Sequence, residues 1–143
     1  MVQLAGTVLG LIGVLSGLLT LQNGSFKDVS DGKPVGWQCT GQYKILPNGG
    51  INNKPAVELT CSGPGKSSHL LQIVKPKSEL KGSVRVTAWF KCIKVEDGGD
   101  CSLWLDTILE NGGAIWGKLG VPDRNSSKWQ KVSAIVTSEN PIK

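Results

Sequence analysis

The sequence predicts an all-β fold, a β-sandwich of two antiparallel sheets that is preceded by an N-terminal hydrophobic segment. After residue 22, no stretch keeps the apolar period of about 3.6 residues that marks a helix. Short runs rich in Val, Ile, Thr and Trp alternate instead with breaks rich in Gly, Pro, Asn and Asp. Strands that recur roughly every 8–12 residues with such breaks between them are typical of a sandwich. A chain of 143 residues suits one domain of this kind.

Residues 1–17 make up the hydrophobic segment, and the sandwich domain is predicted at 18–143. No charged side chain precedes Lys27. The segment has three interpretations: a secretory signal, a membrane anchor, or an apolar segment packed in protein. It lacks the basic start of a signal and is shorter than the roughly 20 residues that span a bilayer. All three interpretations place the remaining chain outside the cytoplasm, secreted or anchored at the cell surface, with membrane contact only through residues 1–17.

The strands are placed by the turn residues that separate them. Gly, Pro, Asn and Asp cluster in "SDGKPVG", "LPNGGINNKP", "SGPGKSS", "EDGGD", "ENGG" and "VPDRNSSK", and these residues favour chain reversals. The runs between these breaks carry the β-branched and aromatic residues that favour strands. Strands are therefore predicted at 18–21, 25–28, 37–46, 56–61, 68–75, 83–95, 101–109, 114–120 and 129–138.

A mirror pattern surrounds the acidic break "EDGGD", because "WFKC" leads into it and "CSLW" leads out. Paired positions in an antiparallel hairpin have a constant sum, so Cys92 would face Cys101 and Trp89 would face Trp104. Side chains alternate between the two faces of a strand. The pattern therefore predicts a hairpin with the two cysteines on its core face and the two tryptophans on its other face.

The four cysteines are predicted to form two disulfides. Cys92 and Cys101 lie opposite one another in the predicted hairpin, where Cβ atoms come within disulfide range. Cys39 and Cys61 are symmetric about Gly50, inside a second turn. Four cysteines allow three connectivities, and four buried thiols are the alternative.

Three tryptophans are predicted to share one sheet face. Trp116 joins Trp89 and Trp104 if the "ENGG" turn sets Leu109 opposite Ile115. Indole rings stack on the apolar faces of sugars, charged side chains bond the hydroxyls, and exposed aromatic clusters mark contact surfaces. The alternative is that a loop, the N-terminal segment or a partner chain covers the indoles. The predicted carbohydrate-binding residues are Trp89, Trp104, Trp116, Arg85, Asp106 and Lys118.

Catalysis, nucleic acid and metal are not expected. His69 is the only histidine, the carboxylates are scattered in turns, and oxidised cysteines would leave no nucleophile paired with a base. The net charge is +5, but the lysines are dispersed and form no dense basic stripe for nucleic acid. Glu96, Asp97 and Asp100 could hold a structural calcium ion, although a solvated acidic turn is the commoner case.

Three stretches resemble carbohydrate-binding modules of the family 4 and 9 type. They are "LLTLQNGSFKD…GKPVGWQC", "HLLQIVKPKSELKGSVRVTAWFKC" and "LWLDTILENGGAIWGKLG…SSKWQKVSAIVT", within residues 18–138. The resemblance implies a jelly roll with a sugar-binding sheet, attached to a glycoside hydrolase or other polysaccharide-degrading enzyme. Two departures affect the calcium site that the resemblance implies. Lys27 stands where the family has an acidic residue, and the chain stops at "SENPIK", before the family's last strands.

The sequence thus predicts a non-catalytic extracellular carbohydrate-binding module that needs no cofactor. The competing interpretation is a structural or assembly subunit of a cell-surface or filament complex. In that case the N-terminal segment would serve as an anchor or donor strand, and copies of the chain would be its partners.

Overall fold

The computed structural model describes residues 12–14, 19–61, 63, 65–93, 95 and 101–143. Strands dominate these residues, which confirms the predicted all-β class, and a short 3-10 helix spans Ile51–Asn53. The strands of the described part are β1 (Ile12–Val14), β2 (Val29–Ser30), β3 (Lys33–Pro34), β4 (Gln38–Thr40), β5 (Gln42–Leu46), β6 (Ala56–Thr60), β7 (His69–Leu71), β8 (Leu80–Phe90), β9 (Leu103–Ile108), β10 (Ala114–Gly120) and β11 (Gln130–Ile142).

All ladders are antiparallel, and the sheets are small. One sheet has the order β1-β8-β11, and the others are the pairs β9-β10, β2-β3, β4-β7 and β5-β6. These ladders do not by themselves assemble the two larger sheets of a jelly roll. The all-β class is therefore what the described residues establish.

The central sheet follows the alternation that the sequence predicts. On β8, Val84, Val86, Ala88 and Phe90 are buried, while the residues between them face outward. On β11, every second residue from Val132 to Ser138 is buried in the same way. Burying each of these larger aliphatic side chains stabilises the fold by roughly 1.5–3 kcal/mol. Inward apolar and outward polar residues thus define two distinct faces of this sheet.

The predicted hairpin between β8 and β9 is wrong. β8 pairs with β1 on one edge and with β11 on the other, whereas β9 pairs with β10. The mirror pattern arises because Phe90 and Leu103 both point into one shared core, from strands that belong to different ladders. Parity shows which side chains face the core, but it cannot show whether two inward-facing strands lie side by side or face to face.

The predicted strand 37–46 divides at Gly41. β4 pairs with β7, and β5 pairs with β6. Gln42 lies opposite Thr60, so the ladder is centred on Ile51 and not on Gly50. The symmetry that predicted Cys39 opposite Cys61 is therefore wrong, and Cys39 lies opposite Leu70 of β7.

Other boundaries also differ from the prediction. Residues 22–25 form turns, and the short hairpin β2-β3 begins at Val29 and otherwise lies within the stretch predicted as a break. β11 continues four residues beyond the predicted end at Ser138. There its register shifts, and Ile142 bridges Leu109 at the end of β9. The backbone bond from Lys143 N–H to Ile108 C=O, at 2.9 Å, extends this contact. β11 thus joins β8 along most of its length and touches β9 at its end.

Part of the hydrophobic segment belongs to the strand framework, because β1 pairs with β8 from Val86 to Ala88. The other predictions for residues 1–17 fall on residues 1–11 and 15–17, which lie outside the described part. No helix among the described residues is long and apolar enough to cross a membrane.

Candidate functional site

An open groove of about 290 Å³ runs beside β9. Its walls come from β9, from Trp116 of β10, and from residues 70–74, which begin in β7 and continue past it. The N-terminal region, β8 and the end of the chain also contribute to the lining, through Leu19, Leu21, Trp37, Val84, Val86, Ile142 and Lys143. One edge of β9 is occupied by β10. On the opposite edge, Ile142 bridges Leu109, and no described strand pairs with β9 before that point. The groove therefore follows the unpaired part of an edge strand, and most of its lining is apolar.

A β-bulge in β10 sets the position of Trp116. Ile115 lies opposite Thr107 and Lys118 lies opposite Leu105, so Trp116 and Gly117 share one partner, Asp106. Gly117 has φ +65°, a left-handed conformation that glycine adopts without strain. Its N–H donates to Oδ1 of Asp106 at 2.7 Å. The Asp106 side chain thus holds the bulge, and the Trp116 side chain is 67% exposed.

The indole of Trp104 is held by two contacts. Its Nε1–H donates to Oγ of Ser102 at 2.8 Å, and Ser102 is fully buried. The ring also lies against the bulge, because a methyl group built on Gly117 would lie 3.3 Å from Cζ3 of Trp104. Half-buried Trp104 is therefore restrained by Ser102 and by the bulge, while Trp116 is exposed.

The Gln72 side chain fastens the opposite wall to the N-terminal turn. Its Nε2 donates to the carbonyls of Gln22 and Gly36, each at 2.9 Å, and its Oε1 accepts from Gln22 N–H at 2.8 Å. Three bonds from one side chain span fifty residues of sequence. Sequence reasoning missed Gln72, because nothing in "HLLQIV" distinguishes it from any other polar residue in a strand.

The structure divides the predicted tryptophan face. Trp104, Asp106 and Trp116 line the groove. Trp89 and Arg85 lie on the outward side of β8, opposite Lys131 and Ile135 of β11, in a different sheet.

The register predicted from the "ENGG" turn is wrong. Ile115 lies opposite Thr107 and not opposite Leu109, so the ladder is offset by two residues before the bulge begins. The bulge then adds one residue to β10, and Lys118 pairs with Leu105 and not with Asp106.

A metal site is not formed by the described residues, among which no group of three or more His, Cys, Asp or Glu side chains is close enough to hold an ion. The possible calcium ligands Glu96, Asp97 and Asp100 lie outside the described part. The turn near Lys27 is held by Asn23 instead. Its Nδ2 donates to the carbonyls of Asp28 at 2.7 Å and Val35 at 3.1 Å.

The cysteines are thiols in this structure. The Sγ atoms of Cys92 and Cys101 lie 3.8 Å apart and make a hydrogen bond, whereas a disulfide brings two sulfur atoms to about 2.05 Å. The predicted disulfides are thus not formed here. Burial raises the pKa of the Cys92 thiol, and its hydrogen bond with Cys101 acts in the opposite direction. Burial also raises the pKa of Cys39, opposed by the charge of Lys33.

A pH dependence follows for the reduced protein. The unfolded Cys92 thiol has a pKa of about 8.5, and the folded thiol keeps its proton to higher pH. The contribution of the protonated Cys92 thiol to the free energy of unfolding is therefore complete below about pH 8.5. It is lost as the pH rises through the pKa of the folded state. We expect the free energy of unfolding in urea, measured with reductant, to fall more steeply between pH 8 and 10 in the wild type than in Cys92→Ser. An equal pH dependence in the two proteins would contradict a raised pKa of Cys92 in the folded state.

Comparison with known proteins adds no relative, since no protein family, curated protein or solved structure matches this chain. The described residues themselves define the class: an all-β protein with an open, largely apolar groove beside an edge strand, lined by one carboxylate and three indoles, of which that of Trp37 is buried.

Proposed function

We propose that this chain is a non-catalytic carbohydrate-binding module that recognises a poly- or oligosaccharide in the groove beside β9. The proposal includes a jelly-roll sandwich in which β8 and β11 form one layer and β9 and β10 belong to the other. The shared core of Phe90 and Leu103 supports that arrangement, because their strands belong to different ladders. A location outside the cytoplasm, secreted or at the cell surface, is part of the same proposal.

The observation that carries the proposal is the presence of a restrained indole, Trp104, and an exposed one, Trp116, beside Asp106. Apolar C–H faces of sugar rings stack on indoles, and stacking is favoured when the ring is already held in place. Trp104 is held by Ser102 and Gly117, so it loses little freedom on binding. A carboxylate accepts hydrogen bonds from sugar hydroxyls. The open groove suits an extended chain better than a small enclosed ligand.

The proposal revises the predicted contact residues. Trp104, Trp116 and Asp106 remain in the proposed site because they line the groove. Trp89 and Arg85 are excluded because they lie on the outward side of β8 and do not line the groove. Lys118 does not line the groove either, and it pairs with Leu105 and not with Asp106.

Substitution of Trp116 tests this assignment. We expect Trp116→Ala to weaken binding roughly tenfold, because the loss of one stacked ring costs about 1.5 kcal/mol. The melting temperature should barely change, since the side chain is 67% exposed. Ligands are found by applying the full chain to a glycan array, and affinities then follow from electrophoresis in gels that contain the soluble polysaccharide identified.

Trp89→Ala is the matched control, because it removes an indole of the same size from the other sheet. Its affinity should equal that of the wild type. Equal losses of affinity in the two variants would show that the three tryptophans bind the glycan together, and would contradict a binding site confined to the groove. The absence of any bound glycan on the array would overturn the function itself.

A second candidate function is an assembly subunit, and exposed apolar side chains at the same groove favour it. Ile73 is 74% exposed and Ile108 is 52% exposed, and contiguous surfaces of this kind mark protein contacts. Light scattering after size-exclusion chromatography distinguishes the two functions. An assembly subunit would show a mass that rises with concentration and returns to the monomer in Ile73→Lys. A glycan-binding module would stay monomeric and keep its glycan affinity.

A further inference from the structure

Two buried thiols lie at the two ends of the connection between β8 and β9. Cys92 follows β8 by two residues and is 2% exposed, and Cys101 precedes β9 by two residues and is fully buried. Their Sγ atoms are 3.8 Å apart. Formation of a disulfide therefore requires the two sulfur atoms to approach by less than 2 Å.

Ser102, the residue next to Cys101, holds the Trp104 indole that lines the groove. Ser102 is fully buried, and its Oγ accepts the hydrogen bond from Nε1 of Trp104 at 2.8 Å. Only two residues separate Cys101 from Trp104. Any constraint on Cys101 therefore also limits the movement of Ser102, and through Ser102 it limits the orientation of the Trp104 indole.

We propose that Cys92 and Cys101 form a redox pair, and that the disulfide between them fixes the start of β9 and so positions Trp104. Both cysteines act as positioning residues, because neither lines the groove. The effect on ligand binding rests on the proposed function, but the formation of the bond does not.

The oxidant is a small-molecule disulfide such as oxidised glutathione. One cysteine thiolate attacks it, forming a mixed disulfide and releasing one glutathione thiolate. The second cysteine thiolate then attacks the protein sulfur of that mixed disulfide and releases the second glutathione. The two protein thiols lose two protons and two electrons, and the oxidant is reduced to two thiols. Because both sulfur atoms are buried, the exchange takes place before folding is complete or when the surrounding core opens.

The cross-link would close a loop of ten residues, counted from Cys92 to Cys101. Loop-closure entropy predicts that a cross-link of this length lowers the unfolding equilibrium constant roughly a hundredfold. The reduced chain remains folded, since the core that surrounds the two sulfur atoms is already formed with thiols. The pair therefore changes the stability and order of one region without changing the fold.

The experiment compares the oxidised and reduced full chain. The protein is refolded with oxidised and reduced glutathione, free thiols are alkylated, and peptides are mapped without reduction. We expect one cross-linked peptide that joins Cys92 to Cys101. Hydrogen exchange by mass spectrometry then compares the two forms. Hydrogen exchange over residues 101–105 should slow at least tenfold on oxidation. Exchange over β5 should slow by no more than the measured change in the global unfolding equilibrium constant.

The outcomes separate this inference from the proposed function. Alkylation of both thiols after refolding would overturn the redox pair. A cross-link with unchanged exchange over 101–105 would overturn the positioning of Trp104. A cross-link with slowed exchange, but no glycan bound by either form, would leave the redox pair standing and reject the carbohydrate function. Cys92→Ser, treated in the same way, should show neither the cross-linked peptide nor the slowed exchange.

Discussion

Gly41→Ala is expected to destabilise the protein by about 2–5 kcal/mol. Gly41 has φ +78°, and an L-residue in this left-handed region costs about 1–2 kcal/mol. A methyl group at Gly41 would also lie 2.7 Å from Cα of Ser68 and would overlap Oγ of Ser68 and the carbonyl oxygen of Ser67. Overpacking of this kind costs about a further 1–3 kcal/mol. Urea denaturation followed by tryptophan fluorescence measures the loss.

The overlap matters because Ser68 joins two ladders at the point where the chain changes partner. Its Oγ accepts from Gln42 N–H at 2.8 Å and donates to the Thr60 carbonyl at 2.6 Å. Ser68 is 1% exposed, so displaced donors and acceptors would be buried without partners, at a cost of about 1–3 kcal/mol each.

Gly112→Ala is the matched control for Gly41→Ala. Gly112 also has a left-handed φ, +85°, but a methyl group there would meet no atom within 4 Å. We expect a loss of only about 1–2 kcal/mol, from the backbone conformation alone. The difference between the two variants then measures the overlap with Ser68. Equal losses would show that backbone conformation explains both and that the contact with Ser68 has no effect.

Phe26→Ala is expected to cost about 3–5 kcal/mol, the range for removal of a buried phenylalanine ring. Phe26 is 2% exposed, and its ring centroid lies 5.4 Å from that of Trp37 with the planes at 53°. The Trp37 Nε1–H donates to the Asn23 carbonyl at 3.2 Å, so this pair links the N-terminal turn to the core. A loss of this size approaches the whole stability of many domains, about 5–15 kcal/mol. Calorimetry and urea denaturation check the result.

Val29→Ala is the control for Phe26→Ala, because it removes an apolar side chain from the same region at a position that is 47% exposed. Its effect should stay within about 0.5 kcal/mol. A small loss in Phe26→Ala, comparable with that of Val29→Ala, would show that the N-terminal turn does not depend on the ring.

The tryptophans show how far sequence alone could predict the candidate site. Strand parity correctly predicts that Trp89, Trp104 and Trp116 do not point into the core with Phe90 and Leu103. It could not show that Trp89 lies in another sheet, because alternation assigns a side chain to one face of its own strand and does not show which strands pair. The Gly117 bulge was also hidden, since a regular ladder and a bulged one share the same turn sequence.

The cysteines also show that sequence alone could predict a contact without predicting which strands pair. Their distance in sequence and matched parity predict that Cys92 and Cys101 approach each other, and they do, at 3.8 Å between sulfur atoms. The predicted reason, direct opposition in a hairpin, is wrong. The two sulfur atoms meet because both ends of the β8 to β9 connection turn into one core.

The amino-acid sequence by itself determined the all-β class, the inward and outward faces of β8 and β11, and most of the turns. These properties depend on neighbours within a few residues, through side-chain alternation and the backbone preferences of Gly, Pro and Asn. Only the tertiary structure decided which strands pair, the partner change at Gly41, the register and bulge that place Lys118 opposite Leu105, and the groove that joins Trp104 to Trp116. Pairing depends on contacts between residues far apart in the chain, and several arrangements bury the same apolar faces. Their relative free energies are set by core packing and by single long-range contacts, such as those of Ser68 and Gln72.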